Sequence, residues 1–104
     1  MISKKAIDII IQHEVGGRAY YDKKLQAPIW AGGDSGVTIG MGYDLGYNSE
    51  KQFMLDWSDK INLNYINALR PTVGLKGQQA KSMLRGEILN VRIPYNIAYE
   101  VFVK

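Results

Sequence analysis

The stretch that decides the fold is Ser35-Gly-Val-Thr-Ile-Gly-Met-Gly-Tyr-Asp-Leu-Gly46, in which four glycines punctuate short β-capable pieces. Glycine permits turns and close approach of two backbones, so the pattern predicts a small, glycine-bent sheet or hairpin. In an extended Val37–Ile39, Thr38 points to one face and its two neighbours point to the other. Ala19-Tyr20-Tyr21 upstream is a second β-capable piece.

A helix is predicted before this region. Ser3 is a suitable N-cap, and apolar residues recur at helical spacing from Ala6 to about Glu14. Gly16-Gly17 is suited to end that helix, because glycine adopts the left-handed conformation typical of a helix C-terminus. Glu14 is thereby placed in the last turn of an otherwise apolar helix.

Helical patterns return after the glycine-rich region. Ser49-Glu-Lys-Gln52 is a capping box, and Ser58 is the predicted cap of the next helix, which Arg70-Pro71 ends. A short helix is expected over Gln78–Leu84 and a last one from Pro94. A helix, a small sheet and then helices in series predict an α+β fold in one domain, residues 1–104.

Composition limits the chemistry that this chain can perform. It has 104 residues, 46% of them hydrophobic, with no cysteine and one histidine. A thiolate metal site, a disulfide scaffold and a cysteine nucleophile are therefore excluded. The formal net charge of +3 is compatible with an anionic polymer as partner, but the basic residues are scattered and form no nucleic-acid arm. No apolar stretch is long enough for a membrane span.

Three polar positions are candidates for chemistry. A carboxylate at Glu14 would face the negative end of the helix dipole, which disfavours its ionisation and suits a general acid. Thr38 beside two glycines leaves room for a ligand or a water, and Asp44 follows a bend from which it could point into the same space. The structural alternatives are a solvated helix-end glutamate and, for Asp44, a turn cap.

Taken together, these residues carry a resemblance. A glutamate ending the first helix, followed by Thr38-Ile-Gly-Met-Gly-Tyr-Asp44, resembles the phage-type lysozymes, and the order Glu, Thr, Asp is similar to their pesticin-like muramidase branch. The match is specific over 10–46 and looser to Lys104. It implies a lysozyme-like fold and hydrolysis of the β-1,4 bond between N-acetylmuramic acid and N-acetylglucosamine in peptidoglycan.

The resemblance also implies roles for the residues. Glu14 would protonate the leaving oxygen, while Asp44 as base and Thr38 by hydrogen bond would hold the attacking water. Two other aspartates compete with Asp44: Asp22, near the position that the shorter phage enzymes use, and Asp34 in a Gly-Gly-Asp-Ser-Gly turn. A water between two carboxyl groups implies inversion, with those groups roughly 6.5–9.5 Å apart.

Beside the three candidate catalytic residues, the candidate substrate-binding residues are Arg18, Tyr20, Trp30 and Tyr43. The reaction needs no metal or organic cofactor. The expected partner is bacterial peptidoglycan, without nucleic acid and without stable membrane insertion. No secretory signal is visible at the start of the chain, so we expect synthesis in the cytoplasm and action on the cell wall, in the periplasm or outside the cell.

The length departs from lysozyme-like domains of this kind, which continue into further helices. The last helix presents Ile97, Ala98, Val101 and Phe102 as an apolar face that needs a surface to pack on. The helix either docks on its own chain, or it packs against another copy in a homodimer, or it packs against a second chain that completes the helical lobe. The alternative function is a non-catalytic module that binds glycan or pairs with another chain.

Overall fold

The structure, a computed structural model, describes residues 3–103, apart from the side chains of Ile11, His13, Glu14 and Val15. Its first helix, α1, spans Lys4–Val15. Ser3 caps it as predicted, since the Ser3 hydroxyl accepts a hydrogen bond from the Ala6 amide at 3.1 Å. Gly16 ends it with a left-handed φ of 68°.

The piece Ala19-Tyr20-Tyr21, predicted to be β-capable, is helical instead. A single α-helical turn, α2, spans Arg18–Tyr20 and leads into a π-helical turn over Tyr21–Leu25. The helical path carries the Tyr21 ring into the core, where its hydroxyl donates to the Ile93 carbonyl at 2.7 Å. This tertiary contact overrides the β propensity of two successive tyrosines.

The predicted sheet is present and has three short antiparallel strands in the order β1-β2-β3. They are β1 (Ile29–Trp30), β2 (Val37–Ile39) and β3 (Tyr43–Asp44). Val37 and Ile39 are buried and Thr38 is half-buried, so β2 alternates in the predicted sense. Gly40 and Gly42, both with positive φ, form the turn from β2 to β3.

Four helices follow the sheet: α3 (Glu50–Trp57), α4 (Leu63–Leu69), α5 (Gln78–Ser82) and α6 (Tyr95–Phe102). Short 3₁₀ turns lie between them and after β3, over Leu45–Tyr47, Arg70–Thr72 and Gly86–Asn90. The α+β prediction is confirmed. No helix within residues 3–103 is both long enough and apolar enough to cross a bilayer.

Of the two predicted helix caps after the sheet, the one for α3 is correct and the one for α4 is wrong. Ser49 caps α3 as predicted, because its hydroxyl accepts from the Gln52 amide at 3.1 Å. α4 is capped by Asn62, whose side-chain oxygen accepts from the Tyr65 amide at 2.9 Å, and not by Ser58. Ser58 instead follows α3 directly, and its amide still bonds back to the Met54 carbonyl.

The core lies where one face of the sheet meets the helices. Its largest fully buried side chains include Trp57, Tyr21, Phe53, Ile39 and Leu45. α6 contributes Ala98 and Val101, which are 1% and 9% exposed. Ala98 and Val101 of the predicted apolar face thus pack within their own chain, while Ile97 and Phe102 are half-buried. Pairing of this face with a second copy or a second chain stays a prediction.

Candidate functional site

Thr38 and Asp44 are direct neighbours in the sheet. Antiparallel pairing sets Thr38 opposite Ile29 on one side and opposite Asp44 on the other. Directly opposed residues project their side chains to the same face, with Cβ atoms about 4.5–5.5 Å apart. The row Ile29, Thr38 and Asp44 therefore crosses the sheet on the face away from Val37 and Ile39, and all three of its side chains are half-buried.

The Asp44 carboxylate is held by backbone amides. Its Oδ1 accepts from the Gly46 amide at 2.8 Å and from the Gly36 amide at 3.0 Å. The Gly36 amide also donates to Oδ2, at the longer distance of 3.2 Å. The turn-cap interpretation is thus correct for Oδ1, while Oδ2 retains capacity to accept a proton or a further hydrogen bond.

Glycine is required at positions 36 and 46, whose amides bind the Asp44 carboxylate. A Cβ built on Gly36 would collide with Asp44 Oδ1 and with the backbone of Gly46. A Cβ built on Gly46 would lie 2.5 Å from the Leu75 carbonyl oxygen and 2.8 Å from Gly36 Cα. The glycines that the sequence placed around Thr38 and Asp44 therefore let two backbone segments close around one carboxylate.

Thr38 is held loosely by comparison. Its hydroxyl donates to the Gly36 carbonyl at 3.3 Å, which is long for a hydrogen bond between oxygens. The hydroxyl can exchange that contact for a better partner with little loss. Among the three predicted catalytic residues, Thr38 and Asp44 are brought together, and both lie next to Gly36.

Glu14 is placed by its backbone alone. It occupies the last turn of α1, one residue before Val15 ends the helix. Its side chain and that of His13 lie outside the described part of the structure. The general-acid role of Glu14 stays a prediction.

The two competing aspartates lie off the Thr38 row. Asp22 sits in the π-helical turn, exposed, with Arg18 Nε 3.6 Å from its carboxylate. Asp34 is exposed in the loop between β1 and β2, where its backbone carbonyl accepts from the Tyr47 hydroxyl at 2.9 Å. Of the three candidate aspartates, Asp44 alone is a cross-strand partner of the threonine.

The four predicted substrate-binding residues do not gather around that row. Arg18 lies over the ring of Tyr95, 4.9 Å from its centroid, and Tyr20 is exposed. Trp30 pairs with Val37, and Tyr43 pairs with Ile39, so both aromatic side chains project to the face opposite Thr38. Stacking of these rings on sugar stays a prediction.

Tyr43 is engaged on that opposite face. Its hydroxyl donates to Asp56 Oδ2 at 2.5 Å, and its ring meets the Trp57 indole edge-on at 5.4 Å. Burial raises the pKa of Tyr43, and the hydrogen bond and negative charge of Asp56 raise it further. The indole N–H of Trp57 acts on the Tyr43 pKa in the other direction, which places that N–H near the phenolic oxygen.

A cavity that sequence reasoning missed adjoins Tyr43. It has a volume of about 260 Å³ and lies between the β2–β3 turn, the end of α3 and α6. Its lining residues are Met41, Gly42, Tyr43, Trp57, Ala98, Val101 and Phe102. The helical pattern predicts Trp57 only as part of an apolar helix face, because nothing local indicates where an indole N–H will point.

A second recess, of about 470 Å³, lies between α1 and α6. Tyr95 and Tyr99 line it with their ring centroids 6.2 Å apart, and Arg18 covers Tyr95. Charged side chains of both signs, Lys4, Asp8 and Glu100, also line it. The signal available in the sequence was the i, i+4 spacing of the two tyrosines on the last helix.

Among the side chains that the structure describes, which do not include those of His13 and Glu14, no group of three or more histidine, cysteine, aspartate or glutamate side chains is arranged to hold an ion. What the described site offers is a carboxylate anchored on one oxygen beside a hydroxyl.

A comparison with family models decides the family. A model described as Domain of unknown function (DUF8812) matches residues 11–104. The chain belongs to this family. The matched part of the DUF8812 domain includes Glu14, Thr38 and Asp44, together with the cavity at Trp57. Searches of the curated proteins and of the solved structures gave no match.

Proposed function

We propose that the chain is a peptidoglycan N-acetylmuramidase, a glycosidase that cleaves the β-1,4 bond between N-acetylmuramic acid and N-acetylglucosamine. The observation that carries the proposal is the direct pairing of Thr38 with Asp44 across β2 and β3. It is the residue pair that the lysozyme-like pattern requires for holding the attacking water, and the chain places the two on one face. The proposed site of action is the bacterial cell wall.

The proposed mechanism divides the work between the two ends of the glycosidic bond. Glu14 donates its proton to the leaving oxygen as the bond to the anomeric carbon breaks. Asp44 Oδ2 takes a proton from a water, whose oxygen attacks the anomeric carbon from the opposite face. The Thr38 hydroxyl forms a hydrogen bond with that water. The Gly36 and Gly46 amides hold the Asp44 carboxylate in place through Oδ1.

The test is cleavage of purified peptidoglycan by the chain alone. Mass spectrometry of the soluble products should show fragments ending in reducing N-acetylmuramic acid, and NMR of fresh product should show inverted anomeric configuration. Glu14→Gln and Asp44→Asn are nearly isosteric and should each lower the rate on the order of 10²- to 10⁴-fold. Asp34→Asn and Asp22→Asn are the matched controls and should retain activity.

Three outcomes would contradict the proposal. Wild-type protein that releases no more reducing ends than a blank removes the activity. Glu14→Gln with more than a tenth of wild-type activity removes the general acid. An inactive Asp22→Asn with an active Asp44→Asn transfers the second role to the π-helical turn.

A second candidate function is a non-catalytic glycan-binding module. It is favoured by the tyrosine-lined recess between α1 and α6, since aromatic rings flanked by charged groups suit a sugar. Such a module would co-sediment with insoluble peptidoglycan and release nothing from it. Tyr99→Ala should then weaken co-sedimentation, whereas Asp44→Asn should leave it unchanged.

A further inference from the structure

A groove between α4 and the 3₁₀ turn Gly86–Asn90 lies apart from the sites described above. It has a volume of about 350 Å³, and its lining residues are Asn64, Tyr65, Ala68, Glu87 and Asn90. None of these residues belongs to the Thr38 row, to the cavity beside Trp57 or to the recess between α1 and α6. We call this separate feature the α4 groove.

Helical geometry places the two walls of the α4 groove opposite each other. Asn64 and Ala68 are four residues apart and share one face of α4. Glu87 and Asn90 are three residues apart in the 3₁₀ turn, where side chains at i and i+3 eclipse each other. Since all four residues line one groove, the two faces that carry them meet across it. Tyr65 and Ala68 are half-buried and the other three are exposed, so the apolar groups lie deeper than the polar ones.

The polar side chains of the α4 groove are not used by the fold. Those of Asn64, Glu87 and Asn90 form no hydrogen bond or ion pair with any other described side chain or backbone group. Other asparagines do have such partners, since Asn62 caps α4 and the Asn48 amide donates to a backbone carbonyl at 2.8 Å. The amides and the carboxylate of the groove can therefore bind a ligand without breaking a contact of the folded chain.

The chemistry of this lining suits a neutral sugar. Each of the two amides combines N–H donors with a carbonyl acceptor, and hydroxyl groups likewise donate and accept, whereas an ammonium group only donates. Glu87 carries the only charge among the described lining residues, so the groove repels phosphates and other anions. The Tyr65 ring adds an aromatic surface for the apolar face of a pyranose. Ligand pockets begin at about 300 Å³, and this groove is close to that size, which suits a mono- or disaccharide.

We propose that the α4 groove binds a neutral pyranose unit of a glycan chain. Hydroxyl groups of the sugar bond to the side chains of Asn64, Glu87 and Asn90, and one face of the ring packs on Tyr65. The class of ligand follows from the lining of the groove, whereas the choice of a cell-wall amino sugar as its source rests on the proposed function. The groove would hold a glycan strand without taking part in its cleavage.

The test is titration of ¹⁵N-labelled protein with the uncharged β-1,4-linked trimer of N-acetylglucosamine. Amide signals of residues 64–68 and 86–90 should shift and saturate. Asn64→Ala should weaken binding about fivefold, the effect of one lost hydrogen bond of about 1 kcal/mol. Asn67→Ala is the matched control, because Asn67 is exposed on the same helix but does not line the groove. Triglycine, which also offers donors and acceptors, tests whether the groove prefers a peptide.

Four outcomes would overturn the inference: groove signals that stay in place, shifts as large with triglycine, equal affinities of Asn64→Ala and Asn67→Ala, or loss of the groove shifts in Asp44→Asn. The last of these would show that the sugar binds at the Thr38 row instead. Saturating groove shifts in a protein that cleaves no peptidoglycan keep the α4 groove and remove the muramidase. Cleavage without groove shifts does the reverse.

Discussion

Thr38 and Asp44 stand directly opposite each other across the β2–β3 ladder, six positions apart in the chain. The turn between the strands, from Gly40 to Gly42, sets this register, because its glycines adopt positive φ values that bring the strands back into pairing. A residue inserted into the turn would shift the register and send one of the two side chains to the other face. The turn therefore determines that Thr38 and Asp44 face each other.

Removing the Asp44 side chain should destabilise the domain. Its Oδ1 satisfies two backbone amides, and each lost hydrogen bond costs about 1 kcal/mol. Asp44→Ala should thus lower the free energy of unfolding by about 2 kcal/mol, measured by urea denaturation. Asp44→Asn keeps an oxygen at Oδ1 and should lose less. Equal losses for both variants would show that the charge, rather than the acceptor, holds the loop.

Gly36→Ala should be more harmful than alanine at a glycine with open surroundings. A Cβ at Gly36 meets the backbone of Gly46 and the Asp44 carboxylate, so the segments must separate, and such overpacking costs typically about 1–3 kcal/mol. Gly33 has nothing within 4 Å of its Cβ position, and only its φ of 58° opposes alanine there. Gly33→Ala should cost about 1 kcal/mol. A Gly36→Ala variant as stable as Gly33→Ala would contradict the close backbone contact.

Part of the sheet could be predicted from the sequence because the determinants of β2 and of the turn after it are local, whereas the strand Ile29–Trp30 was not among the predicted pieces. The glycines around Val37–Ile39 fix where the backbone turns, and β-branched residues favour the strand between them. The Ser3 and Ser49 caps were correct for the same reason, since a cap bonds to an amide three residues away. Alternation along β2 then predicted which face Thr38 takes.

What could not be predicted depends on partners distant in sequence. Tyr21 is helical because its hydroxyl reaches Ile93, 72 positions along the chain. Asn62 rather than Ser58 caps α4, and only the observed path of the chain after α3 decides between two residues with similar capping preference. The cavity beside Trp57 has one wall formed by α6, which comes from the other end of the sequence.

The Tyr43 hydroxyl should make stability depend on alkaline pH. Its pKa is raised in the folded state by burial and by Asp56, while in the unfolded chain a tyrosine ionises near pH 10. The unfolded state therefore loses its proton first, and the free energy of unfolding should fall as the pH rises through about 10. Tyr43→Phe should remove part of that slope in urea titrations between pH 8 and 11. Tyr20→Phe, on an exposed ring, is the control, and an unchanged slope in Tyr43→Phe would contradict the argument.

The cap of α4 gives a matched pair of substitutions. Asn62→Ala removes the acceptor for the Tyr65 amide and should lower the free energy of unfolding by about 1 kcal/mol. Ser58→Ala, at an exposed position whose side chain caps no helix in the described structure, should change it by less than about 0.5 kcal/mol. Thermal or urea unfolding followed by circular dichroism measures both. The reverse order would restore Ser58 as the helix start.

The Thr38 hydroxyl should matter for cleavage far more than for folding. Among the described residues its hydroxyl makes one hydrogen bond, the 3.3 Å contact to the Gly36 carbonyl, so Thr38→Val should change the free energy of unfolding by less than about 1 kcal/mol. If the hydroxyl holds the attacking water, the same variant should lower the rate of peptidoglycan cleavage about tenfold or more, since a hydrogen bond made in the transition state contributes directly to the rate. Thr38→Ser restores a hydroxyl at the same register position and should recover most of that rate. A Thr38→Val enzyme as fast as wild type would leave Asp44 without its partner in the mechanism, although the two residues would still face each other across the sheet.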